Sequence, residues 1–156
     1  MIQRIQSVFL LLVIILAVLY LLFPLGSFTM NASQSNIILA GTNLAPENHL
    51  GEHTEWYRSV LSVLPLLVIL FTVYIILQYK RRIYQIRLCK INIMIHLVIL
   101  VISFFYLDQI KGELPQMSFS YGPSIFFPLV SLILLLRANR SILRDEKLVR
   151  AADRIR

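Results

Sequence analysis

Residues 78–92 read Gln78-Tyr79-Lys80-Arg81-Arg82-Ile83-Tyr84-Gln85-Ile86-Arg87-Leu88-Cys89-Lys90-Ile91-Asn92, with five basic residues among them. A long apolar run lies on either side of this joint. Run 57–79 precedes it with Arg58 at its very start, and run 88–107 follows it, interrupted by Lys90, Asn92 and His96. A helix of about 20 apolar residues crosses about 30 Å of hydrocarbon at about 1.5 Å per residue. Two such runs joined by a short basic turn predict a helical hairpin whose turn faces the cytoplasm, because Lys and Arg mark the inner side of a membrane.

Working outward, two more runs appear. Run 5–25 is uncharged and closes on Pro24-Leu25-Gly26, and run 119–136 carries Pro123 and Pro128. The expectation is an all-α integral membrane protein, a four-transmembrane-helix bundle forming a single domain over 1–156. Its helices occupy about 5–25, 57–79, 88–107 and 119–136, its outer loops 26–56 and 108–118, and its tail 137–156. Composition agrees: 58% of residues are hydrophobic and 15% charged, with mean hydropathy +0.75, against about 45–50% and about 25% for a soluble domain. Pro65 and Pro128 each lack an amide donor and are expected to kink or loosen their helices. The single cysteine, Cys89, excludes an internal disulfide. A cleaved signal peptide would have a shorter apolar stretch and a small-x-small site after Pro24, so the first run is expected to be a retained helix.

Charge placement fixes the expected orientation. Thirteen of the fifteen basic residues fall on the side of the joint, the tail and Arg4, leaving Arg58 and Lys111 on the other. Both termini are therefore expected in the cytoplasm. Trp56, Tyr57, Phe104, Phe105, Tyr106 and Tyr121 gather at the outer ends, where aromatic rings favour the interface. In the outer loops, short β-prone runs at 27–30 and 36–40 and the alternating Met117-Ser118-Phe119-Ser120-Tyr121 suggest a small extracytoplasmic sheet joining both loops.

Three constellations bear on chemistry. His49-Leu50-Gly51-Glu52-His53 fits the H-x-x-E-H pattern in which two His hold zinc and Glu activates its water, making His49, Glu52 and His53 metal candidates. The 26–56 loop is too short for a protease domain, so a solvated acidic loop is the preferred reading, with no catalytic residue and no cofactor expected. Cys89, Asn92, His96 and Ser103 fall at spacings of three, four and seven, on one helical face, with Ser59, Ser62 and Thr72 answering from the preceding helix. An intramembrane His is a candidate proton relay. No Asp or Glu lies in the middle of any run to exchange a proton with it, so hydrogen bonds across helices, about 0.5–2 kcal/mol apiece, are preferred.

The tail is the third. Arg137, Arg140, Arg144, Lys147, Arg150, Arg154 and Arg156 alternate there with Asp145, Glu146 and Asp153, while Leu148, Ala152 and Ile155 make a thin apolar stripe. A cytoplasmic amphipathic helix is expected, contacting anionic headgroups, an acidic protein face or RNA, but not DNA. Lys80, Arg81, Arg82 and Arg87 belong to the same contact face.

Three segments carry a resemblance: Met1-Ile2-Gln3-Arg4-Ile5-Gln6-Ser7, Gln85-Ile86-Arg87-Leu88-Cys89-Lys90-Ile91-Asn92, and Asp145-Glu146-Lys147-Leu148-Val149-Arg150-Ala151-Ala152-Asp153-Arg154-Ile155-Arg156. On these the chain resembles a family of uncharacterised small four-span inner-membrane proteins, a domain-of-unknown-function family of the Bacteroidetes lineage. The resemblance implies a bacterial inner membrane and four spans, and no activity. The expected function is a non-enzymatic accessory or scaffold subunit of a larger inner-membrane complex, with membrane lipids and a membrane-protein complex as partners. A small transporter or channel using the polar seam around His96 is the alternative, and a membrane enzyme comes behind both.

Overall fold

The computed structural model describes residues 3–30, 33–37, 52–79, 81–113 and 118–153. Its elements in chain order are α1 (Gln3–Leu22), β1 (Gly26–Met30), β2 (Ser33–Ile37), α2 (Glu52–Leu77), α3 (Arg82–Glu113), β3 (Ser118–Tyr121), a 3-10 turn (Pro123–Phe126) and α4 (Phe127–Asp153). Among the described residues, four helices are long and apolar enough to cross a membrane.

The helices form a ring in which α1 packs on α2, α2 on α3, α3 on α4 and α4 on α1. Their buried positions follow one rule. On α1 they are Gln6, Leu10, Val13, Ala17 and Tyr20; on α2 they are Leu61, Pro65, Val68, Thr72 and Ile75. On α3 the set Gln85, Cys89, Asn92, His96, Ile99, Ser103 and Tyr106 recurs, and on α4 Ser131, Leu135, Ala138, Ile142 and Asp145. Alternating steps of three and four give the 3.5-residue period of knobs-into-holes packing, the rule of antiparallel bundles. The exposed residues between these seams are largely Leu, Ile and Val, including Leu11, Ile15, Leu66, Leu70, Val101 and Ile133.

One end of the bundle carries a three-stranded antiparallel sheet in the order β2-β1-β3. Ser27 stands opposite Ser120 in the β1–β3 register, and their hydroxyls meet at 2.8 Å. The opposite end holds the α2–α3 turn and the basic residues around it. Met117 and residues 38–40, which the sequence reading also placed in strands, lie outside the described residues.

Several boundaries differ from those expected. The run 119–136 divides: Phe119–Tyr121 pairs with β1, Gly122 and Pro123 turn the chain, and the helix proper begins at Phe127. Pro128 thus sits in the first turn of α4, where its missing amide has no intrahelical partner to lose, and it interrupts no helix. α3 extends beyond 88–107 at both ends, because Arg82–Lys111 contains neither Gly nor Pro and its charged residues are good helix formers. α4 continues unbroken to Asp153 for the same reason. Tyr106, one of the aromatic residues at the outer ends of the runs, is 1% exposed because it falls on the α3 seam.

The sheet end is pinned by a backbone crossing. The Gly122 amide donates to the Leu25 carbonyl at 2.8 Å and the Ser124 amide to the Pro24 carbonyl at 3.4 Å. A Cβ at Gly122 would stand 2.0 Å from the Pro24 carbonyl oxygen, whereas one at Gly112 would meet nothing within 4 Å. Gly122→Ala is therefore expected to destabilise the fold by about 1–3 kcal/mol. Gly112→Ala, in an exposed helical position, is expected to be neutral or stabilising by up to about 1 kcal/mol. Melting both variants in mild detergent checks the contrast, and equal melting points would contradict it.

Candidate functional site

Two polar regions stand apart from the apolar body: the interior of the bundle and its basic end. In the interior, Gln6, Thr72, Gln85, Asn92, His96, Ser103, Ser124, Ser131, Asn139 and Asp145 are all buried. Burying such groups costs least where a neighbour satisfies them, and among the described residues Asn92 Oδ1, Ser124 Oγ and Asn139 Oδ1 find no hydrogen-bond partner. Several are satisfied by their own backbone one turn back: Thr72 donates to the Val68 carbonyl at 2.7 Å and Ser103 to the Ile99 carbonyl at 2.6 Å. Each hydroxyl has one proton, so the partner across the interface must donate to it. Asn92 Nδ2 accordingly donates to Thr72 Oγ1 at 2.9 Å, tying α3 to α2, and the Tyr20 hydroxyl donates to Ser103 Oγ at 2.7 Å, tying α1 to α3.

His96 Nδ1 lies 2.9 Å from the Asn92 carbonyl. A carbonyl only accepts, so Nδ1 carries the proton and a neutral ring leaves Nε2 as an acceptor. His96 borders a cavity with Tyr20, Pro65, Val68, Pro128 and Ser131, whose volume is about 10 Å³. That is room for about one water.

Of the seam read from the sequence, Cys89, Asn92, His96 and Ser103 are all buried on α3. From α2, Thr72 meets Asn92; Ser62 donates to the Arg58 carbonyl at 2.9 Å, and Ser59 is exposed. His49 lies outside the described residues, and Glu52 and His53 are the first two residues of α2. Among the described residues no three His, Cys, Asp or Glu side chains form a metal-binding group.

Asp145 is the residue the sequence reading misplaced. It was grouped with Glu146 and Asp153 as part of a mixed-charge tail, but it is 6% exposed and accepts a hydrogen bond from the equally buried Gln6 amide. Arg82 Nη1 donates to the Asp145 backbone carbonyl at 3.4 Å, and Gln85 Nε2 to the Ile75 carbonyl at 3.2 Å. The basic end is thus closed by a polar plug drawn from all four helices. Of the apolar stripe expected in the tail, Leu148 is 55% exposed, because the seam runs through Ala138, Ile142 and Asp145 instead. The signal that would have found the plug was the 3–4 phase carried on from Ser131, together with a lone Gln in an uncharged first run.

The tail cations separate into a pattern. Arg137, Arg140, Arg144 and Lys147 are exposed and repeat at steps of three, four and three, forming one ridge on the outer face of α4. Arg154, Arg156 and Lys80 lie outside the described residues, while Arg150 continues α4. Arg81, Arg82 and Arg87 line a separate open cleft beside α4.

The chain matches the family described as domain of unknown function (DUF4293) over residues 2–155, and it belongs to that family. No curated protein and no solved structure matches the chain.

Deleting one partner of the plug should leave the other buried and unsatisfied. Asp145→Ala and Gln6→Ala are each expected to destabilise the fold by about 1–3 kcal/mol. A double-mutant cycle in mild detergent should give a coupling of at least about 0.5 kcal/mol. Strict additivity would mean the pair contributes nothing.

Proposed function

We propose that this DUF4293 member is an integral protein of the bacterial inner membrane. On this reading its sheet end lies outside, its basic end and both termini lie in the cytoplasm, and it serves as a non-enzymatic accessory or scaffold subunit of a larger membrane complex. Support for the membrane comes from the surface: among the described residues the exposed positions between the seams are largely Leu, Ile and Val, while ten polar residues lie buried inside. Monomeric soluble proteins rarely expose contiguous apolar patches beyond a few hundred Å². Support for the orientation comes from the gathering of cations at one end.

The observation that carries the subunit reading is the ridge of Arg137, Arg140, Arg144 and Lys147. A helix whose only task was to set topology needs cations near its end, not four in register on one face. This ridge faces away from the seam, so a docking partner could meet it without disturbing the bundle. Its complement would be an acidic face of a neighbouring membrane protein.

The rival reading, a small transporter or channel using His96, has one observation in its favour: buried polar residues recur along the interior from Asp145 to Ser124. Against it stands the size of the cavity beside His96, about 10 Å³. A transport path would need a wider, more open state than this one.

Three measurements follow. In a Cys89→Ser background, Ser120→Cys should react with an impermeant maleimide on intact spheroplasts and Lys147→Cys only after lysis. The reverse pattern would invert the topology, and equal labelling of both would remove the membrane from the account. The tagged full-length protein, extracted gently, should retain a stoichiometric membrane-protein partner that brings it back in the reciprocal experiment. Arg140→Glu with Arg144→Glu should release that partner at an unchanged melting point. A lone protein in both preparations would overturn the subunit reading. Truncating the tail after Ser141 is no substitute, since it removes the buried Ile142 and Asp145. Finally, liposomes holding the wild type should show no proton or cation flux above empty liposomes; a flux abolished by His96→Ala would establish the rival.

A further inference from the structure

We propose that the cleft between the α2–α3 turn and the far end of α4 binds the phosphate head of an anionic membrane lipid. This rests on the membrane reading above and names a ligand for a surface distinct from the α4 ridge. The cleft has a volume of about 560 Å³, within the range of about 300–1,000 Å³ that small-molecule sites occupy.

Its chemistry is amphiphilic. Arg81, Arg82 and Arg87 supply three guanidinium groups from the turn and the first part of α3, and Glu146 on the α4 wall supplies one carboxylate. The guanidinium fork presents paired N–H donors that match two phosphate oxygens. Arg82 is held in place by its bond to the Asp145 carbonyl at 3.4 Å, while Arg81 and Arg87 are exposed and free to close on an anion. The cleft also contains the opening of α3, where the first intrahelical bond is from the Gln85 amide to the Arg81 carbonyl at 3.0 Å. The amides ahead of it add partial positive charge.

The remaining lining separates a lipid from a free anion. Ile83, Tyr84 and Val149 are 49%, 44% and 41% exposed within the same cleft. Inorganic phosphate gains nothing from these side chains, whereas the glycerol and first methylenes of a phospholipid cover them. The position fits as well. The cleft lies just past Leu77, where the apolar span of α2 ends, and within two turns of Leu88, where the apolar run of α3 begins, the level at which headgroups would sit. Anionic lipids are attracted to juxtamembrane cations there.

The test is native mass spectrometry of the full chain in detergent micelles, titrated with phosphatidylglycerol, with phosphatidylcholine, or with phosphatidylglycerol in the presence of inorganic phosphate. Retained phosphatidylglycerol, with phosphatidylcholine bound about tenfold more weakly or not at all, is the expected result. Arg81→Gln with Arg87→Gln should weaken phosphatidylglycerol by about tenfold, and Val149→Glu, which leaves every arginine in place, should weaken it too. Arg140→Gln with Arg144→Gln removes the same charge from the ridge and should change affinity by less than about twofold. Equal loss in that control would reduce the effect to overall charge and overturn the site. Equal binding of phosphatidylcholine, or displacement by inorganic phosphate at lipid-like concentration, would overturn the lipid assignment. Maleimide labelling decides the membrane reading by itself, so failure of the cleft and failure of that reading are distinguishable.

Discussion

The rest of the structure depends on four seams staying in phase. Each helix turns about 100° per residue, so a slip of one residue between neighbours would swing a buried partner out of reach. Gln6 meets Asp145, Asn92 meets Thr72 and Tyr20 meets Ser103 only at one register. Apolar contacts between Leu and Ile are forgiving of such slips, since almost any alignment buries similar surface. The polar pairs are not forgiving. They are spread from the basic end, through the middle, toward the sheet end, so they set the register of α1 against α4, α3 against α2 and α1 against α3. In a bundle whose outer surface is as apolar as its core, hydrophobic burial alone gives little reason for one arrangement over another.

Four long apolar helices were legible in the sequence because each is a long run with few charges, and the hairpin between α2 and α3 was legible because a basic joint interrupts two of them. The ends were harder. Arg82 and Lys111 do not stop a helix, so α3 outruns its apolar portion, while Phe119–Tyr121 looks apolar enough to begin a span yet pairs with β1. The α3 seam could be read from spacing alone, as Asn92 and His96 are conspicuous in an apolar run. Asp145 could not, because carboxylates in a charged tail look solvated unless their phase is followed back along the helix. Its burial depends on Gln6, 139 residues away. Tyr20 was hidden for the opposite reason: it is an ordinary residue in an ordinary apolar run until Ser103 faces it.

Sequence counts treat the cations of the joint and the tail as a single positive field. In three dimensions seven of them fall into two sets. Arg137, Arg140, Arg144 and Lys147 stand on the outward face of α4, whereas Arg81, Arg82 and Arg87 gather across from Glu146 and Val149. α4 lies between the two sets, with its buried stripe ending at Asp145. The same helix therefore separates a surface suited to an acidic protein from one suited to a phosphate, and one can be altered by substitution without touching the other.

α1 and α4 are fastened to each other at both extremities. Gly122 is bonded to Leu25 at the sheet end, and Gln6 to Asp145 at the basic end. A piston stroke of one rod along the other would break both fastenings at once. The α2–α3 hairpin joins this pair through other groups: Arg82 reaches α4 through the Asp145 backbone carbonyl, and Tyr20 of α1 reaches Ser103 through its hydroxyl. In mechanical terms the α1–α4 pair is a rod couple latched against axial sliding at both of its ends.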